Sequence, residues 1–391
     1  MSKPLRVCYI GWSDYPHLLR WAKWFAARGH EVHVLSSRPV SAQGVVMHEI
    51  LPAPSGLPRL NRYLRGEVNI SAAYWLRTVL RVRGLVREIR PDILHSHSLY
   101  YPGYMGALAG FQPYAITAWS YDDATLGYAP HAASRPLRRL FARYALGRAR
   151  LVTGISNDLV QAMVRAGAPS DRTIRFNWGV DLQRFNLAQS RADARRSLGL
   201  PEDAPVVLSV RNLGDPCNVE TLVRAIPDVL RRAPRTHFVF TWNYAQPDRL
   251  QWVQDRVREY GAQENVRLVG RVPHEEMAAY YRAADVFVSL AFWDSGPISM
   301  VEAMACGAVP VMGALPSVRE WITDGQNGYL VSQTDMAQVA QTIVDVLQNP
   351  DKRRDIACAN WRIIQERADF NERMLFLEQQ YLSLSRTGKG T

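Results

Sequence analysis

Several residue types and motifs are rare or missing in this 391-residue sequence. Only four cysteines occur, widely scattered and without CxxC spacing, which argues against a disulfide framework or a zinc site and favours reduced, mostly buried thiols. No apolar run approaches the ~20 residues that span a bilayer. The apolar segment 5–10 is too short for a secretory signal and is predicted to be a strand. We therefore expect a cytoplasmic protein.

Lysine is also scarce, because only four of the 47 basic residues are lysine while the formal net charge is +11. Arginines crowd two segments, 59–90 and 135–150, where they alternate with leucine and aromatic residues. A basic amphipathic helix of this kind can lie on an anionic membrane surface, on the inner face of the cell membrane for example. An arginine-covered, solvated helix face fits the same pattern equally well. None of the usual nucleic-acid-binding motifs is present, so no nucleic acid partner is expected.

Short β-rich runs alternate with helical patterns in two consecutive series. The first series has strands near 5–10, 31–35, 93–95, 114–117, 151–153 and 173–176, and the second near 206–210, 237–241, 266–268, 286–290 and 309–311. This alternation predicts an α/β protein with two Rossmann-like domains facing across a cleft, each binding ligands at the carboxyl ends of its strands. Residues 36–70 look partly irregular, and the polar residues 182–203 resemble an interdomain connection. No GxGxxG follows the first strand, so a dehydrogenase site is not indicated.

The segment 286–331 carries the most informative motif. A buried strand is followed by Asp294-Ser295-Gly296, and Pro297 is expected to begin a helix, at a position that proline favours. The free N–H groups and the dipole of a helix N-terminus suit a diphosphate, and Gly296 lets the backbone approach an anion closely. Glu302, farther along the helix, is placed to accept hydrogen bonds from a ribose diol.

This segment resembles the retaining GT-B glycosyltransferases of family 4. Their signature is an acidic residue, seven residues, a glutamate and then Ala-Met-Ala-x-Gly, which here reads Asp294, Glu302 and residues 303–307. Segments 29–32, 91–95 and 177–181 also resemble the family, as does Arg211 after the first strand of the second series.

The resemblance implies donor-side roles for several residues. Arg211 would bind the diphosphate, Glu302 the ribose, and Asp294 sugar hydroxyls near the reacting carbon. Backbone contacts to phosphate or sugar would come from Gly296, Pro297, Ile298, Ser299 and Met300, and the base would lie beside Arg271 and Val272.

The sequence departs from the family pattern at four places, one of which is Trp242-Asn243-Tyr244 in place of the glycine-rich turn usual after the second strand of the second domain. Asp294 stands where many members carry glutamate, and Cys217 stands where a lysine commonly follows the phosphate-binding arginine. Trp119 replaces a histidine of the first domain; an indole cannot perform acid–base chemistry but can stack on a sugar.

On the acceptor side the candidates are Trp12, His97, Trp119 and Asp122. Asp122 is a candidate catalytic carboxylate, although a turn-capping aspartate explains it equally well. His95 and His97 lack a third metal ligand at suitable spacing, and no Asp-x-Asp motif occurs, so no metal is expected.

The resemblance thus implies transfer, with retention and without metal or cofactor, from a nucleoside diphosphate sugar to a hydroxyl acceptor. UDP is favoured over GDP, and a lipid-linked glycan or other glycoconjugate is the expected acceptor. Residues 1–183 would form the acceptor domain, 184–365 the donor domain, and 366–391 a helix crossing back. A non-catalytic sugar-nucleotide-binding protein and a sugar-nucleotide epimerase are the alternatives.

Overall fold

Residues 3–14, 16–50, 72–120 and 135–387 are described in this computed structural model of the protein. The chain divides into two compact units, one made of residues 1–177 together with 373–391, and the other of residues 178–372. Each unit is built around one parallel sheet. The predicted α/β class with two Rossmann-like series is therefore confirmed.

The sheet of the first unit contains β1 (Arg6–Ile10), β2 (Glu31–Ser36), β3 (Val45–Glu49), β4 (Ile93–His97), β5 (Tyr114–Ala118), β6 (Leu151–Gly154) and β7 (Thr173–Arg175). Its order is β3-β2-β1-β4-β5-β6-β7, and every adjacent pair is parallel. The strand order therefore reverses between β1 and β4, where folds of this type leave a crevice for a ligand.

The sheet of the second unit contains β8 (Val206–Ser209), β9 (His237–Thr241), β10 (Val266–Gly270), β11 (Val286–Ser289), β12 (Val309–Gly313) and β13 (Tyr329–Val331). Its order is β10-β9-β8-β11-β12-β13, again parallel throughout. Here the order reverses between β8 and β11. The two sheets thus repeat one topology, as the two sequence series predict.

The helices of the described residues connect and cover these strands. They are α1 (Pro16–Ala27), α2 (Ala72–Ile89), α3 (Tyr104–Ala109), α4 (Arg135–Arg148), α5 (Asn157–Arg165), α6 (Arg191–Ser197), α7 (Val219–Arg232), α8 (Pro247–Glu259), α9 (Met277–Ala283), α10 (Ile298–Ala305), α11 (Pro316–Arg319), α12 (Met336–Gln348), α13 (Pro350–Ala368) and α14 (Phe370–Thr387). The central strands β4, β5, β8, β11 and β12 are buried at every residue. Helices on both faces of a parallel sheet explain why these strands read as continuous apolar runs.

Helix α14 is tied to the first unit by a buried polar contact. His30 Nδ1 accepts a hydrogen bond from the Leu5 N–H at 3.0 Å, so the other ring nitrogen, Nε2, donates to Glu378 Oε1 at 2.7 Å. Arg28 also donates to Glu378, at 3.1 Å. These bonds lower the pKa of Glu378, although burial opposes them. The carboxylate therefore fixes the helix against the start of β1 and the end of α1.

Two segments differ from the sequence-based expectation. The irregular segment 36–70 contains strand β3, whose five residues lie at the sheet edge and include no fully buried side chain that would give a strong apolar signal. The presumed connection 182–203 contains helix α6 and packs into the second unit, where Arg195 donates to the buried Asp285 at 2.5 Å. Arg191 donates to the same carboxylate at 3.1 Å. The arginines that suggested a solvated linker thus neutralise a buried carboxylate.

Candidate functional site

The carboxyl ends of β8 and β11 bring together the two charged residues that the sequence motif singles out. Arg211 follows β8, Asp294 lies in the loop after β11, and the guanidinium donates to Asp294 Oδ2. Both side chains are mostly buried, 18% and 13% exposed. The neighbouring Asp294 charge outweighs burial, so the pKa of Arg211 is raised. A permanent cation thus lies at the topological switch point of the second sheet.

The Asp294 loop is ordered by its own hydrogen bonds. Asp294 Oδ1 accepts from the Gly296 N–H at 3.0 Å, and the Ser317 hydroxyl donates to the Asp294 carbonyl. Helix α10 begins at Ile298, so Pro297 is the N-cap residue and not the first helical residue as the sequence suggested. With φ −78° and ψ 69°, Pro297 is outside the helical region because the chain is still turning out of the loop. The backbone of residues 296–300 nevertheless lies at the start of a helix, where N–H groups favour anions.

Glu302 lies inside α10 and is buried, with a side chain only 4% exposed. His274, in the loop after β10, places its Nε2 2.7 Å from Glu302 Oε1. Because an ionised carboxylate only accepts, the imidazole is the donor. Burial and the adjacent Glu302 charge raise the pKa of Tyr281 well above its usual value. The sequence predicts Glu302 as a site residue but does not predict His274. The one feature of the sequence that could have indicated His274 is its position as a polar residue shortly after the end of a strand.

The predicted base-side residues occupy the same loop as His274. Arg271 is exposed and Val272 is half-buried against the core of the unit. Just before them, Gly270 has φ +85°, and the Trp242 ring packs against it. The backbone N–H of Trp242 also donates to the Gly270 carbonyl at 3.0 Å. The tryptophan that replaces the family's glycine-rich turn therefore forms one side of this loop.

Cys217 lies near the Arg211–Asp294 pair, as the family's lysine would. Burial raises the pKa of its thiol, while the Arg211 charge opposes that shift. The next residue, Asn218, is buried in a left-handed conformation, φ 48°. Its amide donates to the carbonyls of Leu290 and Gln333 at 2.9 and 2.7 Å. Cys217 therefore contributes no cation. Asn218 connects the loop after β11 to the loop after β13 by its two hydrogen bonds.

Three of the predicted acceptor-side residues lie together in the first unit. Trp12 follows β1, His97 ends β4 and Trp119 follows β5, next to one another at the carboxyl edge of the sheet. Their ring centroids are 6.3 Å apart for Trp12 and Trp119, and 5.8 Å apart for His97 and Trp119. Asp122, the fourth candidate, lies outside the described residues.

His95 is a structural residue of the first unit. Its Nε2 pairs with Thr117 Oγ1 at 2.8 Å and its Nδ1 with the Tyr381 hydroxyl of α14. Complete burial lowers the pKa of His95 to about 3, so the ring is neutral. Within the described ranges, no group of three His, Cys, Asp or Glu side chains is placed to hold a metal ion. The four cysteines are free, with Cys8 and Cys306 buried and Cys358 exposed.

Comparison with known proteins identifies this architecture. Residues 16–178 match the family model described as glycosyl transferase 4-like domain, and residues 190–360 match the model described as glycosyl transferases group 1. The chain belongs to the group 1 glycosyltransferases. The family predicted from the motif is therefore confirmed, and the chain is a glycosyltransferase.

Relatives of this glycosyltransferase include enzymes that act on different acceptors. A D-inositol 3-phosphate glycosyltransferase of Thermomonospora curvata is 29% identical, covering 87% of this chain and 84% of the relative. A GDP-mannose-dependent alpha-(1-6)-phosphatidylinositol monomannoside mannosyltransferase of Mycolicibacterium smegmatis is 29% identical, over 58% of this chain and 62% of the relative. Anabaena HepE, solved in complex with UDP, has a TM-score of 0.78 at 18% identity, over 97% of this chain and 100% of HepE. The HepE likeness shows a shared GT-B fold.

None of the helices in the described part of the chain combines the length and the apolar character needed to cross a membrane.

Proposed function

We propose that this glycosyltransferase moves a sugar from a nucleoside diphosphate donor to a hydroxyl acceptor, with retention and without a metal ion. The observation that supports the proposal is the incomplete hydrogen bonding of the Arg211 guanidinium. One terminal nitrogen of its guanidinium pairs with Asp294, while the buried Nε bonds to none of the described residues. A buried N–H without an acceptor is costly, and a diphosphate oxygen would satisfy it.

The second unit supplies the groups that the departing diphosphate requires. Arg211 provides a permanent positive charge, and the start of α10 at residues 296–300 provides backbone dipoles. In a retaining front-face reaction the donor phosphate helps to deprotonate the acceptor, and the protein stabilises the leaving group electrostatically. Asp294, hydrogen-bonded to Arg211 and Gly296, would then lie beside the sugar hydroxyls near the reacting carbon. No metal-dependent step is needed in this scheme.

Glu302 would bind the ribose of the donor. A carboxylate has about four acceptor positions, of which His274 occupies one and the Tyr281 hydroxyl a second. Enough remain for both hydroxyls of a ribose diol. Arg271 and Val272, on the same loop as His274, would lie beside the base.

Calorimetric titration with UDP and GDP tests this donor site. We expect one of the two to bind in the presence of a chelator, and to bind at least about tenfold more weakly to Arg211→Ala and Glu302→Ala. Arg258→Ala is a matched control, because Arg258 is an exposed arginine paired with Asp255 on α8. Absence of binding to the folded wild type, or equal loss in the control, would overturn the donor assignment. UDP is favoured because HepE was solved with UDP, whereas the M. smegmatis relative is named for GDP-mannose.

In this proposal residues 1–183 would hold the acceptor and residues 184–365 the donor. Trp12, His97 and Trp119 would line the acceptor site, with Asp122 as the proposed acceptor-side carboxylate. The anomeric configuration of the product distinguishes retention from inversion, and proton NMR coupling constants report it directly. Loss of turnover with intact UDP binding in Asp122→Asn would support the role of that carboxylate; wild-type turnover would exclude it.

We also propose that the first unit contacts an anionic membrane surface. Leu76 and Leu80 of α2, one helical turn apart, are 60% and 56% exposed, and Leu140 and Tyr144 of α4 are 66% and 46% exposed. Both helices pack against α3, and exposed arginines flank the apolar residues. Exposed apolar side chains among cations suit anionic lipid head groups, each arginine contributing about 1 kcal/mol.

Sedimentation with vesicles tests this surface. We expect the protein to bind phosphatidylglycerol vesicles and not phosphatidylcholine vesicles, and Leu76→Ser with Leu140→Ser to weaken binding. Unchanged binding of the double variant would exclude these helices. A membrane-bound enzyme would favour a lipid-linked glycan as acceptor.

A further inference from the structure

The acceptor-side edge of the first sheet is aromatic. The rings of Trp12, His17 and His97 all meet Trp119 nearly edge-on, at interplanar angles of 74°, 88° and 87°. Gly11 permits this close arrangement, because a Cβ there would overlap Leu18 and lie 3.2 Å from the Cβ of His97. The carboxyl edge therefore presents the C–H and π surfaces of these rings.

His97 is buried within these rings without hydrogen bonds. The residue is 1% exposed, and neither ring nitrogen has a hydrogen-bond partner among the residues that the structure describes. His95, two residues earlier on the same strand, has both nitrogens bonded. Burial lowers the pKa of His97 well below its usual value, so the ring is neutral and carries one N–H donor and one bare acceptor nitrogen.

A buried imidazole with two unmet hydrogen bonds is rare in native proteins and indicates a missing partner. A hydroxyl group suits it, because a hydroxyl both donates and accepts. A phosphate group suits it less, because it accepts only and would leave the bare nitrogen unpaired. The Trp119 ring, which is partly exposed, packs directly against His97 and is the side chain that a ligand would displace or stack upon.

We infer that the acceptor is an uncharged sugar unit, which places a hydroxyl against His97 and the apolar C–H face of its ring against Trp119. The inference rests on the proposed function and narrows its acceptor class. It separates this chain from the T. curvata relative, which is named for an inositol phosphate acceptor.

Saturation-transfer difference NMR on the full chain with UDP present tests the inference. The probes are the methyl glycosides of glucose, galactose and mannose, compared with myo-inositol 3-phosphate. We expect signals from the ring protons of at least one glycoside and none from the inositol phosphate. His97→Phe, which retains an aromatic ring without polar atoms, and Trp119→Ala should each reduce the glycoside signal about tenfold. His237→Phe in the second unit is the matched control and should leave it unchanged.

The thermal stability of the variants gives a second readout. Because His97 has no hydrogen bond to lose, His97→Phe should melt at or above the wild-type temperature, whereas His95→Phe should melt lower. Full glycoside signal in His97→Phe would show that an internal water satisfies the imidazole and would overturn the inference. Binding of inositol 3-phosphate alone would overturn it while leaving the proposed function intact. Failure of the wild type to bind either nucleotide would instead refute the proposed function.

Discussion

Replacement of Glu302 by glutamine is the sharpest test of the proposed donor site. The side chain is 4% exposed and its Oε1 lies 2.7 Å from His274 Nε2. Glutamine has nearly the same shape, and its carbonyl oxygen can still accept from His274, so the fold should be preserved. What is lost is the negative charge and one of the two acceptor oxygens that the ribose diol would use.

The expected magnitude follows from the kind of bond removed. A hydrogen bond to a charged partner contributes about 1.5–3 kcal/mol, or roughly 10- to 150-fold in affinity. If both ribose hydroxyls donate to Glu302, UDP should bind Glu302→Gln about 100-fold more weakly than wild type. The 2′-deoxy analogue, which makes one of those bonds, should lose only about tenfold. The ratio between the two nucleotides therefore measures ribose recognition, apart from any general weakening of the site.

Calorimetry with UDP and 2′-deoxy-UDP on wild type, Glu302→Gln and Glu275→Gln provides the measurement. Glu275 is exposed and adjacent to His274 in sequence, so its substitution controls for the change in charge near the loop. If UDP and its 2′-deoxy analogue lose the same factor in Glu302→Gln, or if neither loses affinity, the carboxylate does not bind the ribose. Glu302 would then have no part in ribose binding, even if the nucleotide binds elsewhere in the second unit.

Three further predictions concern stability and charge. Asp285→Asn should lower the free energy of unfolding by about 3–5 kcal/mol in urea titrations, because it leaves buried arginine charges without a partner; a loss below about 1 kcal/mol would contradict this. His95 has a folded pKa of about 3 against an ordinary 6.5, so the unfolded chain binds more protons between those values. The contribution of His95 to the free energy of unfolding should be fully present above pH 6.5 and should fall by at most about 1.4 kcal/mol per pH unit on acidification. In His95→Gln, the free energy of unfolding should depend less steeply on pH by that amount. Cys217→Lys should tighten UDP binding about tenfold at low salt by adding a cation beside Arg211, with the gain shrinking at high salt; weaker binding would mean that the thiol site cannot admit a charge.

The sequence predicted the architecture because short β-rich runs alternate with helical patterns in both halves of the chain. The β-rich runs around β8 and β11 are continuous and apolar, as expected for strands covered on both faces. Strand β3 was missed because its five residues alternate between half-buried and exposed positions at a sheet edge, where the apolar signal is weak. The α6 segment was misinterpreted because composition does not reveal that Arg191 and Arg195 neutralise one buried aspartate.

The candidate site was predictable in its motif residues but not in their partners. Arg211 and Asp294 are separated by 83 positions, and only the pairing of β8 with β11 brings them together. Arg271 and Val272 were predicted, but His274 of the same loop was not. A histidine in a loop follows no periodic pattern, so the sequence does not show which carboxylate it contacts. Side-chain partners depend on loop geometry, and a single sequence specifies loop geometry less directly than strand order.

The two units place different chemistry on the same topology. Each sheet reverses its strand order at one point, between β1 and β4 in the first unit and between β8 and β11 in the second. At that point the second unit has the ion pair of Arg211 and Asp294, whose guanidinium suits a diphosphate. The first unit has Trp12, whose indole carries no charge, and His97, whose imidazole burial keeps neutral; these rings suit hydroxyl and C–H groups. In the proposed function, the fold determines where each ligand binds, and the side chains after each strand distinguish the charged donor from an uncharged acceptor.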